Sequence, residues 1–184
     1  MHNRATFCVS AGNSPHSYYV RRPQGSDPYN PKFIRRTVKQ PDRLMVWGAI
    51  GYHAPGNLVI LPRNVSMNSE RYIELLRGNL NESFRKCKIP RRNGILLQDG
   101  ATCHTARIVK EYLENNSVNY IKEWPGNSPD LNPIEHIWAE MKRLLADRDT
   151  SSLPKLRAEL QDIWRNMDRK YIKTLIDSIP DRLQ

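Results

Sequence analysis

This sequence predicts an α/β fold, a mixed sheet flanked by helices, and three observations carry the prediction. Two apolar runs bounded by turn residues, LMVWGAIG (Leu44 to Gly51) and NLVILP (Asn57 to Pro62), have the length of buried strands. Further along, GILLQD (Gly94 to Asp99), a helical stretch and VNYI (Val118 to Ile121) follow one another as strand, helix, strand. Such a succession implies a right-handed crossover and a locally parallel pair. The remainder of the chain then turns to helical spacing, so helices close it.

Taken in order, ATFCVS (Ala5 to Ser10) reads as a short opening strand, and the stretch from Ala11 to Arg43 has no lasting periodicity. It is rich in Pro, Gly, Asn, Tyr and Arg, and a stretch of that length inside a domain reads as a contact arm or a loose insertion. The two apolar runs form a hairpin about HAPG (His53 to Gly56). From Asn68, Tyr72, Leu75, Leu76, Leu80 and Phe84 fall on one helical stripe, with Glu70 in the first turn and an end near Cys87. Ala106, Val109, Tyr112 and Leu113 mark the helix between the later strands, which leaves Asp99 at a strand's carboxyl end, where open α/β sheets place their ligands. Ile134, Ile137, Trp138, Met141, Leu144 and Leu145 follow the i, i+3, i+4, i+7 rule. Beyond Asp147 to Ser152, Leu156, Leu160, Ile163, Trp164 and Met167 define another helix, and Tyr171 to Ile179 a last one, so the C-terminal helices occupy 153–179. The tryptophans Trp47, Trp124, Trp138 and Trp164 sit in apolar patterns and are expected in the core.

The 184 residues suit a single domain, 1–184, with a real apolar core. Lys and Arg number 29 against 19 Asp and Glu, and a net charge of +10 favours a polyanionic partner, nucleic acid before a membrane surface, by counterion release. Plain solubility is the competing reading of that charge. Three widely spaced cysteines, Cys8, Cys87 and Cys103, form no CxxC pair, which argues against a disulfide framework or zinc ribbon and for a reducing compartment. No apolar run reaches membrane-spanning length, and MHNRATF lacks the apolar stretch of a signal peptide, so a soluble intracellular protein is expected.

Chemistry concentrates in SPDLNPIEHIW, residues 128 to 138. Asn132 is a good N-cap, Pro133 suits the first helical position, and Glu135 three residues after the cap completes a capping box. At about 100° per residue, Glu135 lies at the border of the Ile134/Trp138 stripe with solvent, from where a carboxylate can point toward Asp99. Two acids on neighbouring elements suit Mg2+ or Mn2+, hard cations that take carboxylate oxygens and keep waters. Spacing alone leaves cap and metal ligand both open.

Two blocks, LLQDGATCHTA (Leu96 to Ala106) and WPGNSPDLNPIEHIW (Trp124 to Trp138), resemble the catalytic core of mariner-type transposases; YVRRPQG, LMVWGAIG and the closing LIDSIPDRLQ are similar too. The resemblance implies a ribonuclease-H-like fold and an Asp, Asp, Glu (or Asp) triad cutting and joining DNA through divalent metal. Asp99 and Glu135, with 35 residues between them, match the second and third ligands. In position, the basic arm 11–43 corresponds to the family's loop that clasps DNA and a partner subunit. Its Arg21, Arg22, Lys32, Arg35, Arg36 and Lys39 are expected nucleic-acid contacts, with Tyr18, Tyr19 and Tyr29 interleaved, and a homodimer through the arm is implied. His104, beside the site, is read either as a phosphate contact or as a local hydrogen-bonding group. A nuclear location follows from the resemblance.

The departures are specific. Where the family has Asp-Glu-x-x-Phe, this chain has NRATF, which puts Asn3 at the position of the first Asp and Arg4 at that of the following Glu. An Asn carbonyl brings no charge and Arg4 adds a cation, so weakened metal binding and impaired activity are expected. The first central strand is expected to be incomplete, with a gap in the sheet, and the family's helix-turn-helix domains are absent from these residues. Gly100, where the family often has Asn, is assigned no chemistry. The alternative is a non-enzymatic nucleic-acid-binding or dimerising module derived from a transposase.

Overall fold

The computed structural model describes residues 2–9, 23–27, 42–63, 65–122 and 131–182. Strands β1 (His2–Cys8), β2 (Arg43–Gly51) and β3 (Ala54–Ile60) form an antiparallel sheet in that order. Pairing of β1 with β2 runs its whole length, from His2 opposite Ala49 to Cys8 opposite Arg43. The strand therefore starts ahead of the expected Ala5, because β2 satisfies the backbone of polar residues as readily as that of apolar ones. The hairpin turn is Tyr52 and His53 alone, and Ala54, Pro55 and Gly56 belong to β3. Pro55 is tolerated because β3 flanks the sheet, and the register shifts between Gly48 and Ile50 just where it pairs.

The strands expected at Gly94–Asp99 and Val118–Ile121 contract to one parallel bridge between Leu96 and Tyr120. Leu96 donates its N–H to the Asn119 carbonyl at 2.8 Å, and Ile121 donates to the Leu96 carbonyl at 3.0 Å. The parallel sense matches the crossover expectation; the length does not, since a buried apolar run need not continue a ladder. The helix between them is divided at Ala106 into α2 (Thr102–Thr105) and α3 (Arg107–Asn115).

Helix α1 (Ser69–Lys86) precedes this segment, and α4 (Pro133–Leu145), α5 (Leu153–Arg165), α6 (Arg169–Asp177) and α7 (Ile179–Arg182) follow it. Alternation along β2 divides the core. Leu44, Val46 and Ile50 pack with Phe7 of β1 and with α4, α5 and α6, whereas Trp47 and Ala49 pack with α1, α3 and Leu96 on the other face. Gly48 makes room on the first face: a Cβ there would stand 2.6 Å from Trp138 Cη2 and 2.8 Å from Trp164 Cη2. Those two rings stack at 5.5 Å, and Trp164 Nε1 donates to the Gly56 carbonyl at 3.0 Å. Trp47, Trp138 and Trp164 are buried as expected, while Trp124 lies outside the described residues.

Candidate active site

The Leu96–Tyr120 bridge holds the extended segment that ends at Asp99. The chain then turns through Gly100 and Ala101 into α2, and the turn closes on the carboxylate itself. Ala101 donates its N–H to Asp99 Oδ1 at 3.1 Å, and His104 Nδ1 meets the same oxygen at 2.5 Å. The Asp99 side chain is 32% exposed; that of His104 is 0% exposed. Burial pushes the Asp99 carboxyl up, but the His104 hydrogen bond and charge, the Ala101 amide and the field of Arg4 hold it below the usual carboxylate range. Burial likewise pushes His104 down, and its bonds to Asp99 and Cys103 outweigh that and raise it. Cys103 is pushed up by burial and drawn below the ordinary thiol value by His104 and Arg4. An ionised carboxylate only accepts, so His104 Nδ1 carries the proton of this bond.

Behind His104 stands a second tier. Its ring lies 4.2 Å, centroid to centroid, from that of Tyr72 on α1. Tyr72 Oη donates to Gln98 Oε1 at 2.9 Å, and Gln98 Nε2 donates to the His104 carbonyl at 3.2 Å. Burial first, then the Asp99 charge, push the Tyr72 phenol well up, so it remains a donor. Neither Tyr72 nor Gln98 was recognisable as a site residue from the sequence; the signal present was a Gln ending an otherwise apolar run. The His104 side chain is fully buried and its Nδ1 is turned to Asp99.

Glu135 occupies the first turn of α4, half-buried, and its N–H donates to the Asn132 carbonyl at 3.0 Å. Asn132 stands at the cap position, but its side chain makes no cap bond, and both its polar atoms are buried without a hydrogen bond. That half of the expected capping box is missing because the residue is drawn inward, at 2% exposure. Helix α4 packs on β1 and β2 from the face opposite α1. Arg4 of β1 acts on Asp99 electrostatically, and on the α4 side Phe7 of β1 meets Trp138 edge-on at 6.2 Å. The Asn3 backbone pairs with Gly48.

Among the described residues no three His, Cys, Asp or Glu side chains gather into a group able to hold a metal. In kind the donors suit a hard cation: Asp99 is held ionised and partly exposed, and no described hydrogen bond reaches its Oδ2. Arg21, Arg22, Lys32, Arg35, Arg36 and Lys39 of the arm lie outside the described residues, as do Tyr18, Tyr19 and Tyr29. Of the other basic cluster, Arg85 is exposed and paired with Glu82 at 2.6 Å, and Arg91 and Arg92 are exposed. None of the described helices is long and apolar enough to cross a membrane.

A family model described as DDE superfamily endonuclease matches residues 11–157, a span that contains both Asp99 and Glu135. The chain belongs to this family. The curated relatives it matches are transposases of transposable elements. It is 33% identical over 178 residues to the transposable element Tc1 transposase of Caenorhabditis elegans, covering 95% of this chain and 61% of that one. To the Tcb1 transposase of Caenorhabditis briggsae it is 32% identical over 166 residues, covering 89% and 58%. The DDE domain thus spans about three fifths of the length of these relatives. Among solved structures, the Mos1 transposase paired-end complex with left transposon end aligns over 98% of this chain and 52% of that one, with TM-score 0.79 at 21% identity. The catalytic domain of Mos1 mariner transposase aligns over 81% and 74%, with TM-score 0.65 at 26% identity. The ribonuclease-H-like fold expected from the sequence motifs agrees with these neighbours.

Proposed function

We propose that this DDE domain is the DNA-cutting and strand-joining core of a transposase, that it acts through Mg2+ or Mn2+ held by Asp99 and Glu135, and that its activity is reduced. The observation that carries the reading is the partly exposed Asp99 carboxylate, held ionised by His104 and Ala101, both of which bond to Oδ1. Solved Mos1 paired-end complexes with Mn and with Mg support the choice of cations. When bound, the ions would activate the attacking oxygen and stabilise the leaving one. Asp99 and Glu135 would orient that charge, and Asn3, neutral where the family has its first Asp, weakens the third position. Arg4 adds a positive field at Asp99 that competes with a cation.

DNA is the proposed substrate, contacted by Arg21, Arg22, Lys32, Arg35, Arg36 and Lys39 of the arm, with a second copy of the chain engaging the same arm and the nucleus as its place of action. The test is Mn2+-dependent nicking of supercoiled plasmid. Weak nicking by the unaltered chain, raised at least tenfold by Asn3→Asp and lost with Asp99→Ala, is the expected result. Strong nicking that Asp99→Ala leaves intact would end the proposal.

Arg4 also favours a second reading, a nucleic-acid-binding module without catalysis, because its positive charge already acts on Asp99 electrostatically. In that case DNA affinity falls steeply with salt and does not change with Asp99→Ala or Glu135→Ala, and Asn3→Asp restores no nicking.

A further inference from the structure

We infer that Tyr72, Gln98 and His104 form a buried positioning relay that pins one oxygen of Asp99 and thereby fixes how the other is offered to a divalent cation. The inference rests on the reading of Asp99 as a metal ligand. An aspartate χ2 torsion is broad and roughly two-fold, so an untethered carboxylate exchanges its two oxygens. Here both bonds fall on one of them: His104 Nδ1 and the Ala101 amide converge on Oδ1. Among the described residues no bond competes for Oδ2.

His104 is itself held from two directions. Its ring is packed against Tyr72, which prevents rotation away from Asp99, and its carbonyl accepts from Gln98. The orientation of the Gln98 amide is in turn decided by Tyr72: Oε1 accepts from the phenol, so Nε2 is left to donate to His104. Tyr72 and His104 are fully buried and Gln98 is 6% exposed. Three polar side chains in a core are costly even when they bond to one another, and apolar residues of similar shape would serve packing alone at least as well. The relay instead joins α1, which packs on the sheet from one side, to the loop that carries the carboxylate. Ligating carboxylates and imidazoles owe much of their affinity to such outer partners.

The experiment is Mn2+ binding followed by electron paramagnetic resonance of the free ion, with melting temperature recorded in parallel, on the full chain and on its Asn3→Asp form. His104→Asn places an amide nitrogen close to the position of Nδ1, whereas His104→Gln carries its nitrogen one bond too far. His104→Asn is expected to keep the parent affinity within about threefold, His104→Gln to lose about 100-fold and Tyr72→Phe about 10-fold. A histidine that served folding alone would make the Asn and Gln forms alike in Mn2+ affinity, with differences only in melting temperature; that result overturns the relay. Tyr72→Phe keeps the ring and removes one oxygen, so unchanged Mn2+ affinity in that folded variant also overturns it. If Asp99→Ala abolishes binding while the His104 and Tyr72 variants bind like the parent, the relay fails and the metal-ligand reading stands. If Asp99→Ala binds Mn2+ like the parent, or the Asn3→Asp chain binds none, the metal-ligand reading fails and the relay with it.

Discussion

Gly48 shows how little room a single residue leaves. Its missing side chain admits the stacked Trp138 and Trp164 rings, and a methyl group would meet ring atoms at 2.6 and 2.8 Å. Rigid aromatic edges cannot swing aside as a long side-chain end can, so Gly48→Ala should destabilise the chain by about 1–3 kcal/mol in urea unfolding. No loss of stability would mean that the two rings are not packed as described. At Asp99 one carboxylate oxygen is taken by two donors, His104 Nδ1 and the Ala101 amide, and the proposed metal role of the other rests on residues the sequence presents as ordinary core.

At the scale of elements, two helices obey one sequence rule and differ in structure. Asn68 caps α1 by accepting the Arg71 N–H at 2.9 Å, so Asn68→Ala should cost about 1 kcal/mol. Asn132 precedes α4 with equally good capping chemistry but makes no such bond and buries both polar atoms unbonded. Asn132→Ala should therefore cost less than Asn68→Ala, since no cap is lost and a buried polar group is relieved. Chemical denaturation of both variants compares them directly, and a larger loss at 132 would contradict the described cap.

The loop between α4 and α5 supplies the pH dependence. The Lys155 ammonium, 2.5 Å from Asp149 Oδ2, together with Ser151, lowers the Asp149 carboxyl from 3.8 to about 2. A lowered folded-state value stabilises above the unfolded value, so this contribution is present above about pH 4 and fades as pH falls toward 2. Asp149→Asn should lower the melting temperature modestly above about pH 4 and leave it nearly unchanged near pH 2, which flattens the acid limb. An identical acid limb in the variant would count against the ion pair.

For the whole molecule, the governing quantity is the net charge of +10. Binding to duplex DNA should weaken linearly in log affinity against log salt, and replacing Arg35, Arg36 and Lys39 by Gln should reduce the slope by about 0.9 for each phosphate that is no longer neutralised. An unaltered slope would remove the arm from the interface. The sheet explains why the charge lies outside: helices cover both faces of β2, so the charged side chains are left to loops and outward helix faces.

Side-chain order alone settles which stretches are apolar and with what period, and hence α1, α4 and α5 and the hairpin. It also settles the motif that places an Asp and a Glu with 35 residues between them in a DDE domain. These are local properties, written over a few turns or one strand. The remaining features come from packing between elements. The bond between Tyr72 and Gln98 joins residues 26 apart, and the burial of His104 depends on α1 lying over α2. The early start of β1 depends on an edge supplied some forty residues later. A hydrogen bond between distant side chains has no period and leaves no local trace, because the folded chain alone brings its donor and acceptor within reach.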